Sequence, residues 1–152
     1  MQRRFFMGSI IGAIVVVSGI AVAQTPMGTA AEAKALLEKA VAAVKADKAK
    51  AIAAFNSPTG GFKDRDLYVF CANAGDGTIN AGPPSVMGRK VQELTDKKGK
   101  AFGMEMLKVS AEGKFGEVSY MFPRPGADTT PVEKISYVTK VADQMCGVGY
   151  YK

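Results

Sequence analysis

Histidine and tryptophan are absent from the 152 residues, and cysteine occurs only twice. Without histidine there is no Ser–His–Asp or Cys–His relay, and no histidine-ligated metal or haem. Two cysteines lacking histidine partners fall short of a zinc site. Asp64, Asp66 and Asp76 do not have the spacing of a calcium-binding loop and read as turn or capping residues. The 20 basic residues outnumber the 14 acidic ones, giving +6, but they do not gather beside a series of stacking aromatics, which argues against nucleic acid. These absences leave no catalytic, metal or cofactor group to name. With 47% hydrophobic residues, the chain holds one domain's worth of core, of a binding or structural kind.

What is present first is a secretory signal over residues 1–23. Arg3 and Arg4 form its positive end, Ile10 to Ile20 its apolar run, and Ala21-Val22-Ala23 a small-x-small cleavage site before Gln24. The rival reading is an inner-membrane anchor over residues 7–23, although the apolar run is short of the roughly 20 residues that span a bilayer. Cleavage leaves Gln24–Lys152, 129 residues carrying +4, in the periplasm or secreted. In that oxidising setting Cys71 and Cys146 are an even pair that suggests a disulfide; two buried thiols are the alternative.

Residues 24–28 read as a polar linker. Thr29 opens a helix, with Glu32 at the spacing of a capping box. The alanine-rich sequence that follows carries Leu37, Val41, Val44, Ile52 and Phe55 at helical spacing. Such a stripe suits a lid over a sheet better than a coiled-coil dimer. Asp47-Lys48 interrupts it, so a break is expected there, and Asn56-Ser57-Pro58 ends the helical region. The period then becomes two. Leu67–Ala72, Thr78–Ala81, Gly116–Phe122, Lys134–Val141 and Met145–Tyr151 read as strands, the first two forming a hairpin. Short helices are expected over Val86–Leu94 and Phe102–Glu112, the second closed by Gly113 as its C-cap. Asp143-Gln144 is expected to turn the chain. Helix, two strands, short helices and three strands make an α+β fold with a five-stranded antiparallel sheet.

Several local patterns recur in that order. They are Ala51-Ile52-Ala53-Ala54-Phe55-Asn56, Asp64-Arg65-Asp66-Leu67-Tyr68-Val69-Phe70, Asp76-Gly77-Thr78 and Met87-Gly88-Arg89. Asp96 with Gly99-Lys100-Ala101-Phe102, then Gly116-Glu117-Val118-Ser119-Tyr120, Pro123 and Pro125-Gly126 follow. Lys134 with Ser136-Tyr137-Val138, and Gly147-Val148-Gly149-Tyr150, complete the set. Together they resemble the Cache domain, specifically the single Cache type 2 group of extracytoplasmic sensors, over residues 29–152. The resemblance implies a PAS-like sheet with a long N-terminal helix. Two departures stand out: Ala81-Gly82 stands where many members have alanine followed by histidine, and no output module follows the last strand before Lys152.

The resemblance also implies small organic acids as ligands, such as acetate, propionate, lactate or pyruvate, and a separate membrane sensor or transporter as partner. It nominates Tyr120 and Lys134 first, then Arg65, Tyr68 and Tyr137, because a carboxylate needs a cation and hydroxyl donors. Lys134 and Tyr137 are an odd number of residues apart, so an unbroken strand points them to opposite faces. In a PAS-like sheet the strands of Cys71 and Cys146 are neighbours, which makes a cross-strand disulfide feasible. Gly147 and Gly149 share one face, expected to receive the N-terminal helix. A homodimer through that helix is the assembly it would allow. Lacking histidine, binding is expected to be insensitive to pH near neutrality. The competing reading is a ligand-free structural or interaction domain whose pocket is filled by side chains.

Overall fold

The computed structural model describes residues 26–152. The segments read as signal and cleavage site lie outside them. Helix α1 spans Ala30–Ala46 and α2 spans Lys48–Asn56. Thr29 and Glu32 form the capping box expected from their spacing. The break expected at Asp47-Lys48 is also there. Asp47 is at once the C-cap of α1 and the N-cap of α2, with its side chain accepting from the Lys50 amide. Ala33, Leu37, Ala40 and Val44 line the buried side of α1, and Ala51 and Phe55 that of α2. Burying this stripe is what holds the helices to the sheet, because propensity alone stabilises helices of this length only marginally.

The sheet has six strands: β1 (Lys63–Asp64), β2 (Leu67–Asn73), β3 (Ile79–Ala81), β4 (Gly116–Pro123), β5 (Pro131–Val141) and β6 (Gln144–Tyr151). Its order is β1-β2-β6-β5-β4, with β3 also paired to β2, and every pairing is antiparallel. The expected five strands are β2 to β6; the two-residue β1 adds a short hairpin through Arg65-Asp66. Side chains alternate between faces. Leu67, Val69, Cys71, Cys146 and Val148 point to α1 and α2, while Ala72, Val118, Tyr120, Val138 and Met145 point to a second core under α3 (Phe102–Val109). The free edge at β4 is covered. Asp96 accepts from the Met121 amide at 3.0 Å, and Lys100 donates to the Ser119 carbonyl at 2.5 Å.

Four local expectations need correction. The Val86–Leu94 helix is only one 3₁₀ turn, Val91–Glu93, because Val86 and Arg89 spend their amides on turns and Gly88 and Val91 theirs on the distant carbonyls of Ile79 and Gly77. Helix α3 ends at Val109, not Glu112: Ser110 caps it, its amide and hydroxyl both donating to the Met106 carbonyl. Gly113, at φ +74°, instead turns the chain between Ala111 and Lys114. The β5–β6 turn is Ala142-Asp143, and Gln144 already pairs with Val141.

Candidate ligand-binding site

Period two sets up the site. On β4 and β5, Tyr120 lies directly opposite Lys134, and Lys134 lies opposite Tyr151 on β6. All three belong to the face away from α1. Ser136, two residues past Lys134, shares that face, and its hydroxyl and that of Tyr120 share a 2.9 Å hydrogen bond. Lys134 is completely buried. Its ammonium crosses β6 and donates to the Tyr68 hydroxyl on β2 at 2.8 Å. The crossing is open because β6 carries Gly149 there; a Cβ at that position would strike the Lys134 Cε and the Ser136 hydroxyl. Gly147 likewise makes room for Phe70. Both glycines therefore serve the face opposite the N-terminal helix, which corrects the expectation that they receive it.

The ammonium sits among three rings, 4.2 Å from the centroid of Tyr68, 4.9 Å from Tyr151 and 5.1 Å from Phe122. Ring faces attract a cation, but only in part replace water. Among the described residues no carboxylate lies within ion-pairing distance of it. Burial therefore pushes Lys134 down to about 7, against a smaller upward pull from the charge of Asp66. Burial also pushes the Tyr68 and Tyr120 phenols up, so both stay protonated donors at neutral pH. A lysine near 7 changes its charge within the neutral range, so the absence of histidine does not leave this cluster without a group that titrates there.

Beside this cluster lies a cavity of about 30 Å³, whose lining includes Tyr68, Tyr120 and Phe122 together with Ala72, Ile79 and Met145. Tyr120 is fixed there by stacking on Phe102, centroids 4.2 Å apart. Tyr68, Phe122 and Pro83 also line an outer cleft of about 430 Å³. That cleft carries Lys63, Arg65 and Arg124 against one acid, Asp128, so its mouth is electropositive.

The five residues nominated from sequence do not all converge. Lys134, Tyr68 and Tyr120 come together: the two tyrosines line the cavity, and Lys134, which does not line it, is bonded to Tyr68 and lies opposite Tyr120. Tyr137 faces the other way, packed towards α1 with its ring 5.9 Å from that of Tyr150, as the odd spacing from Lys134 requires. Arg65 stands on the wall of the outer cleft, and its guanidinium is already engaged. It donates to Asp64 and Glu32 at 2.8 and 2.7 Å and reaches the carbonyls of Pro26 and Met27. These bonds, that of Asp64 foremost, hold its proton still more tightly than usual. Next to it, buried Asp66 accepts from the Gly28 amide at 2.6 Å. Asp76 forms an ion pair with Lys90, also at 2.7 Å. Ser136, Phe122 and Tyr151 were not nominated, yet the first two stand two residues from a nominated one, on the same face.

The profile of the family described as "Single Cache domain 2" matches residues 9–151. The chain belongs to that family. Cache domains are extracytoplasmic ligand-binding sensory domains, and the antiparallel sheet with its long N-terminal helix is their PAS-like fold. Solved structures that share it include three chemosensory proteins. A methyl-accepting chemotaxis protein from Vibrio parahaemolyticus RIMD 2210633 is 22% identical with a TM-score of 0.64, covering 80% of this chain and 86% of its own. The periplasmic sensor domain of a chemotaxis protein is 24% identical, TM-score 0.60, covering 78% and 86%. A Cache chemosensory domain described for its carboxylic acid recognition is 22% identical, TM-score 0.58, covering 78% and 84%. No curated protein sequence matches the chain. Among the described residues no helix is long and apolar enough to cross a membrane. Cys71 and Cys146, directly opposite each other on β2 and β6, are joined by a disulfide.

Proposed function

We propose that this Cache domain is exported to the periplasm by cleavage of residues 1–23 and there binds a small organic acid. It acts as a sensor and not as an enzyme, and it reports to a separate signalling or transport protein. One observation carries the reading: a fully buried ammonium with no carboxylate partner among the described residues, next to a cavity edged by phenol donors. An uncompensated buried charge is costly, and an incoming carboxylate removes that cost while gaining charge-assisted hydrogen bonds. Lys134 and Tyr68 take the carboxylate, and Tyr120 with Ser136 completes the donor set. Arg65 and Arg124 draw anions to the cleft, and Tyr137 belongs to the helix side.

The second reading is a ligand-free domain. The closeness of the three rings to Lys134 and the small cavity favour it. Thermal shift of the chain from Gln24 separates the two. Under our reading at least one of acetate, propionate, lactate and pyruvate at millimolar concentration raises Tm, and Lys134→Ala removes the rise, since a ligand of the native state must stabilise it. No rise with any of them would leave the ligand-free domain.

A further inference from the structure

We infer that the cavity selects short acids with an apolar tail and discriminates against those carrying a hydroxyl or keto group. The inference rests on the reading that Lys134 holds a carboxylate, and it concerns what lies behind that carboxylate. Apart from the two phenols at its Lys134 end, every side chain lining the cavity is apolar. Ala72, Ile79 and Met145 come from the sheet, Val91 and Leu94 from the 3₁₀ turn and its cap, and Met106 from α3. All six are buried.

The donors at the polar end match one carboxylate. Lys134 spends one N–H on the Tyr68 oxygen, which leaves the phenol proton of Tyr68 to donate onward. Tyr120 and Ser136 share one proton between them and have one left. A carboxylate with about four acceptor positions takes up these groups and the remaining ammonium N–H groups. A ligand hydroxyl further in then meets only hydrocarbon and the Met sulfurs, and stays unpaired.

Isothermal titration with propionate and glycolate tests this, because a hydroxyl of similar size replaces the methyl. Propionate is expected to bind at least about tenfold more tightly than glycolate, from the unpaired hydroxyl. It is also expected to bind about fourfold more tightly than acetate, from one extra buried methylene. Glycolate equal to or tighter than propionate would overturn the apolar-tail inference and leave carboxylate binding standing. Absence of binding by all three, together with no thermal shift from lactate or pyruvate, would overturn both. As a second variant, Ala72→Val narrows the cavity at an apolar lining residue and should weaken propionate more than acetate. Equal weakening of the two would place the tail elsewhere and overturn the inference.

Discussion

Lys134 shows how one residue can set both a site and a cost. Its folded pKa of about 7 lies below the ordinary 10.5. Below pH 7 the protein holds the charge in full and bears the whole burial penalty. Between pH 7 and 10.5 the unfolded chain binds the proton that the folded one has given up, so this residue's contribution to stability improves as pH rises. Acid binding runs the other way, since it needs the ammonium. Affinity for a small carboxylate is expected to be flat below about pH 6 and to fall towards tenfold per unit above about pH 7. Calorimetry from pH 5.5 to about 8.5 checks this, and a flat profile would remove the lysine from the site. Lys134→Met keeps the stem and drops the charge. It should raise unfolding free energy by about 1–4 kcal/mol while abolishing binding, as when other buried charges are replaced by apolar groups. Its gain should be largest at acid pH and fade towards pH 10. Denaturant titrations at two pH values measure it, and a loss of stability in the variant counts against the uncompensated charge.

At this scale the sequence is partly readable. Lysine and tyrosine types at 68, 120 and 134 could be nominated, and parity separated Tyr137 from Lys134. The same parity, applied outward from Lys134 and Tyr120, reaches Ser136 and Phe122. The partners of Arg65 were not readable, because an arginine's partners can lie far along the chain: Glu32 is thirty-three residues away and contributes only once α1 is docked.

Among the elements, those with strong local chemistry were legible. The capping box at Thr29 and the cap at Asp47 are written in neighbouring residues, so α1 and α2 could be placed nearly to the residue. The Val86–Leu94 stretch was not, because its amides and carbonyls bond to distant backbone, such as Val91 N to the Gly77 carbonyl at 2.8 Å. The β5–β6 turn is another case where position outweighs residue type. Ala142 holds φ +52°, a left-handed conformation that disfavours any residue with a Cβ. Relieving about 1–2 kcal/mol of strain against about 0.5–1 kcal/mol of extra chain entropy, Ala142→Gly should stabilise the protein by roughly 0.5–1 kcal/mol. A higher urea midpoint is the expected result, and a lower one would mean the turn is unstrained.

For the whole molecule, the disulfide joins the two central strands across 75 residues of chain. Both cysteines are fully buried on the α1 side of the sheet, opposite Lys134. Loop-closure entropy for a loop of this length is about 4 kcal/mol, and removal of such bonds costs about 2–5 kcal/mol. Cys71→Ala with Cys146→Ala should lower unfolding free energy by that amount and leave carboxylate affinity within about twofold, because the sulfurs touch the other core. A stability change under about 1 kcal/mol would show that the bond contributes little. In the sequence the even count and the export signal suggested the pair, and the strand order that the family resemblance implied made its geometry feasible.

The approach to α1 has a mechanical side. Before the helix begins, the chain is fastened at three successive residues: the carbonyls of Pro26 and Met27 to Arg65, and the Gly28 amide to Asp66. Gly28 is also wedged against Leu67 with no room for a Cβ. All three anchors belong to the turn from which Tyr68 follows. A pull along the chain at residue 26 is therefore loaded first onto the β1–β2 turn, beside the phenol that holds Lys134, and reaches the helix axis only afterwards. The domain's incoming end and its cavity share one hinge pin.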